Sequence, residues 1–304
     1  MLDGLIIKSQ SGFYTVETEA GRLICQLRGA MKRGRRRGDV AAVGDRVRLL
    51  PLQDGSGVLE EILPRQRILS RMAPNPRGAY QQIIIANPDQ AVFVFSCAQP
   101  APHFGMLDRF LVIAEKQGLP AVVVANKVDL VGEPAAREMF GHYEPLGYPV
   151  VLTSARTGQG LEALRQHLVG KISVFAGPSG VGKSSLLNLL LPDAHLAEEE
   201  VSRATSKGRH TTVVRELFRL PDAQAGSYVA DTPGLKALAL WDILPEELDG
   251  YFPELRRYVA GCSFSDCTHT HEPGCAVQEA VERGEVHRIR YESYVRMRTG
   301  QEVE

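Results

Sequence analysis

The stretch Gly177-Pro178-Ser179-Gly180-Val181-Gly182-Lys183-Ser184 fits the pattern G-x-x-x-x-G-K-[ST], and it lies between the apolar run Ile172–Ala176 and the helix-like text of Lys183–Leu191. A strand, a glycine-rich turn and a helix in that order form a cradle for phosphate. Backbone N–H groups turn inward, the helix N-terminus adds its positive dipole end, Lys183 reaches the β/γ-phosphates, and the Ser184 hydroxyl, followed by Ser185, stands where Mg²⁺ binds. The feature therefore demands an α/β sheet with parallel strands. The text from about Gln82 supplies one: buried strands are expected at Ala91–Ser96, Ala121–Ala125, Val150–Ser154, Ile172–Ala176 and Ser227–Asp231, and helices at Met106–Gln117, Pro134–Tyr143, Leu161–Leu168 and Lys183–Leu191.

Further motifs fall at the carboxyl ends of these strands, where ligands of open α/β sheets bind. Asp231-Thr-Pro-Gly234 suits an aspartate that holds Mg²⁺ through water, with the Gly234 N–H placed to sense a γ-phosphate. Asn126-Lys127-Val128-Asp129 presents a carboxylate that can accept hydrogen bonds from N1–H and the 2-amino group of guanine. Adenine offers neither donor, and leaving the carboxylate unpaired would cost about 1–3 kcal/mol or more. Thr153-Ser154-Ala155 ends the next strand, with the Ala155 N–H available to guanine O6. All four motifs agree on GTP with Mg²⁺. Their order does not follow Ras-like GTPases, because the guanine motif at 126 and the Ser154-Ala155 segment precede the phosphate loop at 177. The site needs only the spatial arrangement, so the order describes a circularly permuted GTPase domain.

The flanks have a different texture. Residues 1–70 carry short alternating segments at Gly4–Ser9, Phe13–Glu17, Arg22–Leu27, Asp45–Leu50 and Gly57–Ile62, which read as a small five-strand barrel. Between the third and fourth lies Arg28–Gly38, RGAMKRGRRRG, a loop with six basic residues and three glycines. The net charge of -1 hides a division: 14 Lys/Arg against 8 Asp/Glu in residues 1–80, 13 against 15 in 81–234, and 8 against 13 in 235–304. At the other end, Cys262, Cys267, His269 and Cys275 offer three thiolates and an imidazole, the donor set of a closed tetrahedral zinc site, with His271 as a rival fourth ligand. Cys25 and Cys97 lie in apolar strand text and read as buried small hydrophobes.

The permuted order NKVD, TSA, GPSGVGKSS, GRHTT, DTPG, the strand-rich N-terminal region and the terminal cysteine cluster resemble the ribosome small-subunit-dependent GTPase A family over nearly the whole chain. The resemblance implies an N-terminal all-β OB-fold, a central α/β P-loop GTPase and a C-terminal, mainly helical zinc module, here bounded as 1–70, 71–234 and 235–304. It implies GTP hydrolysis in late maturation of the small (30S) ribosomal subunit, stimulated by that subunit. It favours His269 over His271 as the zinc ligand and tips the basic loop toward ribosomal RNA. Between the phosphate loop and DTPG, Ser206–Thr212 fits a switch I loop, where Thr212, ahead of Thr211, would complete the Mg²⁺ shell with Ser184 and Asp231. Leu235 stands where Ras-like enzymes carry the glutamine that orients water, so hydrolysis must recruit another group, and in line with the family that group is His210.

No apolar run approaches the roughly 18 residues that span a bilayer, and the start MLDGLIIKSQ lacks signal-peptide character, so a cytoplasmic monomer without membrane contact is expected. Five cysteines, an odd and sparse set, make no disulfide framework. Two other readings remain open at this stage: an RNA-binding assembly chaperone in which hydrolysis is incidental, and a small-molecule kinase, which gives NKVD no role.

Overall fold

The computed structural model describes residues 1–32, 39–73, 80–192, 215–221, 226–231 and 243–301. The chain divides into two compact units, one comprising Met1–Ala91, Arg165–Ser179 and Ser184–Ala237, the other Val92–Leu164, Gly180–Lys183 and Leu238–Glu304.

In the first unit, β1 (Leu2–Gln10), β2 (Phe13–Thr18), β3 (Gly21–Leu27), β4 (Arg46–Pro51) and β5 (Ser56–Ile62) run in the order β1-β2-β3-β5-β4, and β1 also pairs with β4, closing the five-strand barrel. Strand alternation drives the closure. Along β4, Val47 and Leu49 point into the core while Arg46, Arg48 and Leu50 face out, and Ile6, Val16, Cys25 and Leu59 complete the interior. The expected basic loop begins with a 3-10 turn at Gly29–Lys32, and its residues 33–38 lie outside the described residues. A two-stranded antiparallel sheet, β6 (Ile68–Ala73) with β7 (Tyr80–Ala86), follows the barrel and was not anticipated in the sequence. The same unit holds three further strands. There β11 (Ile172–Ala176) pairs in parallel with β13 (Tyr228–Asp231), and β13 pairs antiparallel with β12 (Arg215–Arg219), which in turn pairs with barrel strand β1. The Lys8 ammonium meets Glu216 at 2.7 Å across that last pairing.

The second unit is built on β8 (Gln90–Ser96), β9 (Ala121–Asn126) and β10 (Val150–Leu152), in the order β10-β9-β8. Every residue of β8 and β9 is buried, the pattern of strands covered on both faces. Helix α1 (Phe104–Lys116) ends in a Schellman turn. Gly118, at φ 58°, donates its N–H to Glu115 O, and the Leu119 N–H reaches Ala114 O. Helix α2 (Glu133–Phe140) follows and runs into a 3-10 segment at Gly141–Leu146, α3 (Leu161–Leu168) begins in this unit, and α4 (Lys183–Leu190) belongs to the first unit from Ser184 onward.

The C-terminal part of this unit contains a 3-10 turn at Pro245–Tyr251 and the helices α5 (Pro253–Arg256), α6 (Ala276–Glu282) and α7 (Arg288–Arg298). Its core joins Leu248, Phe252, Leu255, Cys275, Val277, Ala280, Val286 and Tyr294 to Val112 of α1. Beside that core, the fully buried Arg290 donates to Asp108 of α1 at 2.7 Å and to Glu254 of α5 at 2.7 Å, and the Tyr143 hydroxyl donates to the same Asp108 oxygen at 2.7 Å. Among the described residues no helix is long and apolar enough to cross a membrane.

Candidate functional site

Strand β9 delivers the guanine motif. Its last residue, Asn126, is fully buried, and Lys127 turns the chain with φ 64°, which starts the 3-10 turn carrying Asp129. The Asn126 amide donates to the Val181 carbonyl at 2.8 Å, while its oxygen accepts from the Ala155 N–H at 3.1 Å and the Thr153 hydroxyl at 3.2 Å. The Lys127 ammonium donates to the Gly180 carbonyl at 2.6 Å and to the Gln99 carbonyl. Two side chains of the guanine motif thus fasten the phosphate loop. The approach is close: at Gly182, φ 87°, a Cβ would lie 2.4 Å from the Asn126 amide nitrogen, so a side chain there would break the contact.

Asp129 is held ready as an acceptor. The Ser154 hydroxyl donates to one carboxylate oxygen at 2.6 Å and itself accepts from the Thr157 N–H at 3.2 Å, while Arg156 reaches the other oxygen at 2.8 Å. The Ser154 hydrogen bond, then the Arg156 charge, hold this carboxyl below the usual carboxylate range. A fixed carboxylate of this kind matches the two donors on the guanine edge. Ser154 serves it through Asp129, and the Ala155 N–H, expected at guanine O6, is engaged with Asn126. Gln99 and Arg156 were missed in the sequence. Adjacency to Ser154-Ala155 could have pointed to Arg156, but Gln99 contributes only a carbonyl and has no signature.

The phosphate loop spans Gly177 to Ser184 between β11 and α4, with Gly180 at φ 79° and Val181 buried, and Lys183 is the first residue of α4. In the parallel register of β11 and β13, Asp231 stands opposite Phe175, next to the residue that leads into the loop. Gly234 and the proposed switch residues His210, Thr211 and Thr212 lie outside the described residues.

At the C-terminal end, one ligand atom from each of Cys262, Cys267, His269 and Cys275 lies within 4.8 Å of the others. The Cys262 and Cys275 sulfurs are 3.9 Å apart, and His269 Nδ1 is 3.5 and 3.4 Å from them. With zinc–sulfur bonds of about 2.3 Å, tetrahedral geometry spaces sulfurs by nearly this much, so the Cys₃His group fits a structural zinc site. His271 is exposed and outside the group, its ring nitrogen 2.8 Å from the Thr270 hydroxyl. The loop is pinned from inside. Burial alone would raise the Glu272 pKa, yet the Thr268 hydroxyl and the N–H groups of Thr268 and His271 hold it well below the carboxylate range.

Comparison with known proteins agrees with this geometry. A sequence model described as the RsgA GTPase matches residues 62–241, and one described as the RsgA N-terminal domain matches residues 3–59. The small ribosomal subunit biogenesis GTPase RsgA of Gemmatimonas aurantiaca is 45% identical over 97% of this chain and 96% of its own length, and that of Moorella thermoacetica is 42% identical over 97% and 95%. The crystal structure of YjeQ from Thermotoga maritima superposes with a TM-score of 0.78 at 40% identity, covering 99% of this chain and 98% of that one. YloQ, described as a circularly permuted GTPase, gives 0.75 at 35% identity, covering 99% and 95%. The barrel, the permuted P-loop fold and these relatives together place the chain in the RsgA GTPase family, as a GTP-hydrolysing enzyme.

Proposed function

We propose that this GTPase acts in biogenesis of the small ribosomal subunit, in its late maturation, with hydrolysis stimulated by the subunit. The observation that carries the reading is the fastening of Asn126 and Lys127 to the carbonyls of Val181 and Gly180, which fixes the spacing between a guanine acceptor and a phosphate cradle. The names of the full-length relatives supply the partner.

In this reading Asp129 takes the guanine edge, with Asn126, Lys127, Ser154 and Ala155 building its pocket. Gly177 to Ser185 wrap the phosphates, and Lys183 offsets charge on the β/γ-phosphates as the bond to the γ-phosphoryl breaks. Ser184, Thr212 and Asp231 hold Mg²⁺, whose chemistry is to neutralise developing phosphate charge, and Gly234 senses the γ-phosphate. His210 orients water in place of the glutamine that Leu235 lacks. Zinc on Cys262, Cys267, His269 and Cys275 adds folding energy to the C-terminal module. The working division is 1–70, 71–234 and 235–304; the end of the fifth barrel strand at Ile62 and the family matches over residues 3–59 and 62–241 support a barrel followed by a GTPase domain. The basic loop after β3 suits ribosomal RNA, and the role fits a cytoplasmic monomer.

The test is GTP turnover with and without purified small subunits, with large subunits as control and ATP as competitor. Stimulation by small subunits alone, with labelled GTP displaced by GTP and not by ATP, is the expected result. Equal turnover in all arms would overturn the subunit assignment, and displacement by ATP would overturn the role of Asp129.

A further inference from the structure

We propose that Asp249 is the positioning residue of the Cys/His centre: it fixes the tautomer and orientation of His269 and thereby sets how slowly the metal leaves. The inference rests on the zinc reading above. His269 turns Nδ1 toward the sulfurs of Cys262 and Cys275, at 3.5 and 3.4 Å, which makes Nδ1 the ligating atom. A neutral imidazole that ligates through Nδ1 carries its proton on Nε2. That nitrogen faces Asp249 Oδ2 at 3.2 Å, so the carboxylate accepts the remaining N–H and holds the lone pair toward the metal.

The surroundings leave the ring little freedom. The His269 side chain is 1% exposed and that of Asp249 20%. The His269 carbonyl accepts from the Tyr291 hydroxyl at 2.8 Å, and its ring lies 6.0 Å from that of Tyr294. Asp249 is fixed in turn: Oδ1 accepts the Gly250 N–H at 2.8 Å, and the preceding Leu248 is anchored in the core with Cys275 and Tyr294. Lys116 of α1 meets Glu247, on the same turn, at 3.0 Å. The carboxylate therefore comes from a turn that is tied to the GTPase helix α1, and it precedes the first cysteine in the chain by thirteen positions. A carboxylate behind a metal-bound histidine raises ligand basicity, and its loss in other proteins costs about 10–100-fold in metal affinity.

The experiment uses the full chain as wild type, Asp249→Asn, Asp249→Ala and, as a same-turn charge control, Glu246→Gln. Zinc content is measured by mass spectrometry, and release is followed with a chromogenic chelator at neutral pH. Wild type and Glu246→Gln should carry one zinc and release it slowly. Asp249→Ala should release it about 10–100-fold faster, with Asp249→Asn between them, because an amide oxygen still accepts from Nε2 but carries no charge. After cobalt substitution, the thiolate charge-transfer bands should persist in Asp249→Ala while the ligand-field bands shift.

Release from Asp249→Ala within twofold of wild type would overturn the proposal and leave the zinc reading standing. Equal acceleration in the Asn and Ala variants, with loss of hydrogen-exchange protection along α7, would assign the effect to packing and overturn it as well. Wild-type chain without zinc would remove the zinc reading itself, and the proposal with it.

Discussion

The barrel at the start of the chain and the Cys/His module at its end are both small, yet they solve the problem of stability in opposite ways. The barrel closes on itself through β1 and β4, and its own strands supply the buried apolar residues Ile6, Val16, Cys25, Val47, Leu49 and Leu59, with a buried carboxylate, Asp45, ahead of β4 held by Arg65 at 2.7 Å. The module has short helices, and α7, RIRYESYVRMR, is mostly polar. It takes Val112 from α1 into its core, sets Arg290 between Glu254 and Asp108 of α1, and gathers four ligand atoms where a metal fits. A segment that cannot bury enough apolar surface of its own relies on polar contacts and a neighbour's helix.

Metal withdrawal should separate the two regions most strongly. A strong chelator acting on the full chain is expected to abolish hydrogen-exchange protection through residues 262–294, because small metal-dependent modules fold with the metal. Amides of β1 to β5 should keep theirs. Uniform loss in both regions would show that the barrel depends on the module.

Arg290→Ala comes next. It leaves Asp108 and Glu254 buried without their cation, and breaking such a pair costs about 3–5 kcal/mol. Asp108 Oδ2 already has no hydrogen-bond partner among the described residues, so the site has no spare donor to compensate. Regional exchange should report the loss in α1 and α7 and not in the barrel. The matching change in the barrel, Leu49→Ala, removes a fully buried side chain and should cost about 2–5 kcal/mol by cavity formation. Its effect should be confined to β1 to β5 and the paired β12, with α7 unmoved. If Leu49→Ala loosens α7, the contrast between a self-contained barrel and a dependent module fails.

The same contrast decides what could be read in the sequence. The barrel strands alternate, so each is visible in its own residues, as with Arg46 to Leu50. The strands β8, β9 and β11 are short apolar runs, and the phosphate loop is a local pattern whose meaning needs only the strand before it and the helix after it. Arg290 was illegible because its partners stand 36 and 182 residues away, and an arginine in α7 text looks like a solvated face. Asp249 was hidden in the same way, since nothing local marks a carboxylate that will meet His269. Strand β12, RELFR, was missed because its charged residues mask the alternation, and β6 and β7 because polar and proline residues separate them. The cysteine spacing displayed the candidate ligands but not the carboxylate beside them. Motifs that bind are contiguous, whereas the contacts that hold a module in place are made across the chain.

Acid should test the comparison with the smallest effect. His142, on the 3-10 segment after α2, stacks on His287 with ring centroids 4.2 Å apart and 10° between planes. Burial, then the neighbouring His287 and Arg290, lower its pKa from 6.5 to about 4, and Glu254 opposes the shift. In the unfolded chain it takes a proton near pH 6.5, while the folded protein refuses one until about pH 4, so in this window the unfolded state binds more protons. The stability that His142 supports is complete above about pH 6.5 and declines as pH falls toward 4, with a slope of at most about 1.4 kcal/mol per pH unit. Urea midpoints at pH 7, 6 and 5 should show this decline in the wild type and a shallower one in His142→Phe, which keeps a ring against His287 and cannot titrate. Superimposed profiles would remove His142 as the source. Residues 1–62 contain none of the eight histidines, so acid in this range should loosen the C-terminal module first and leave the barrel closed.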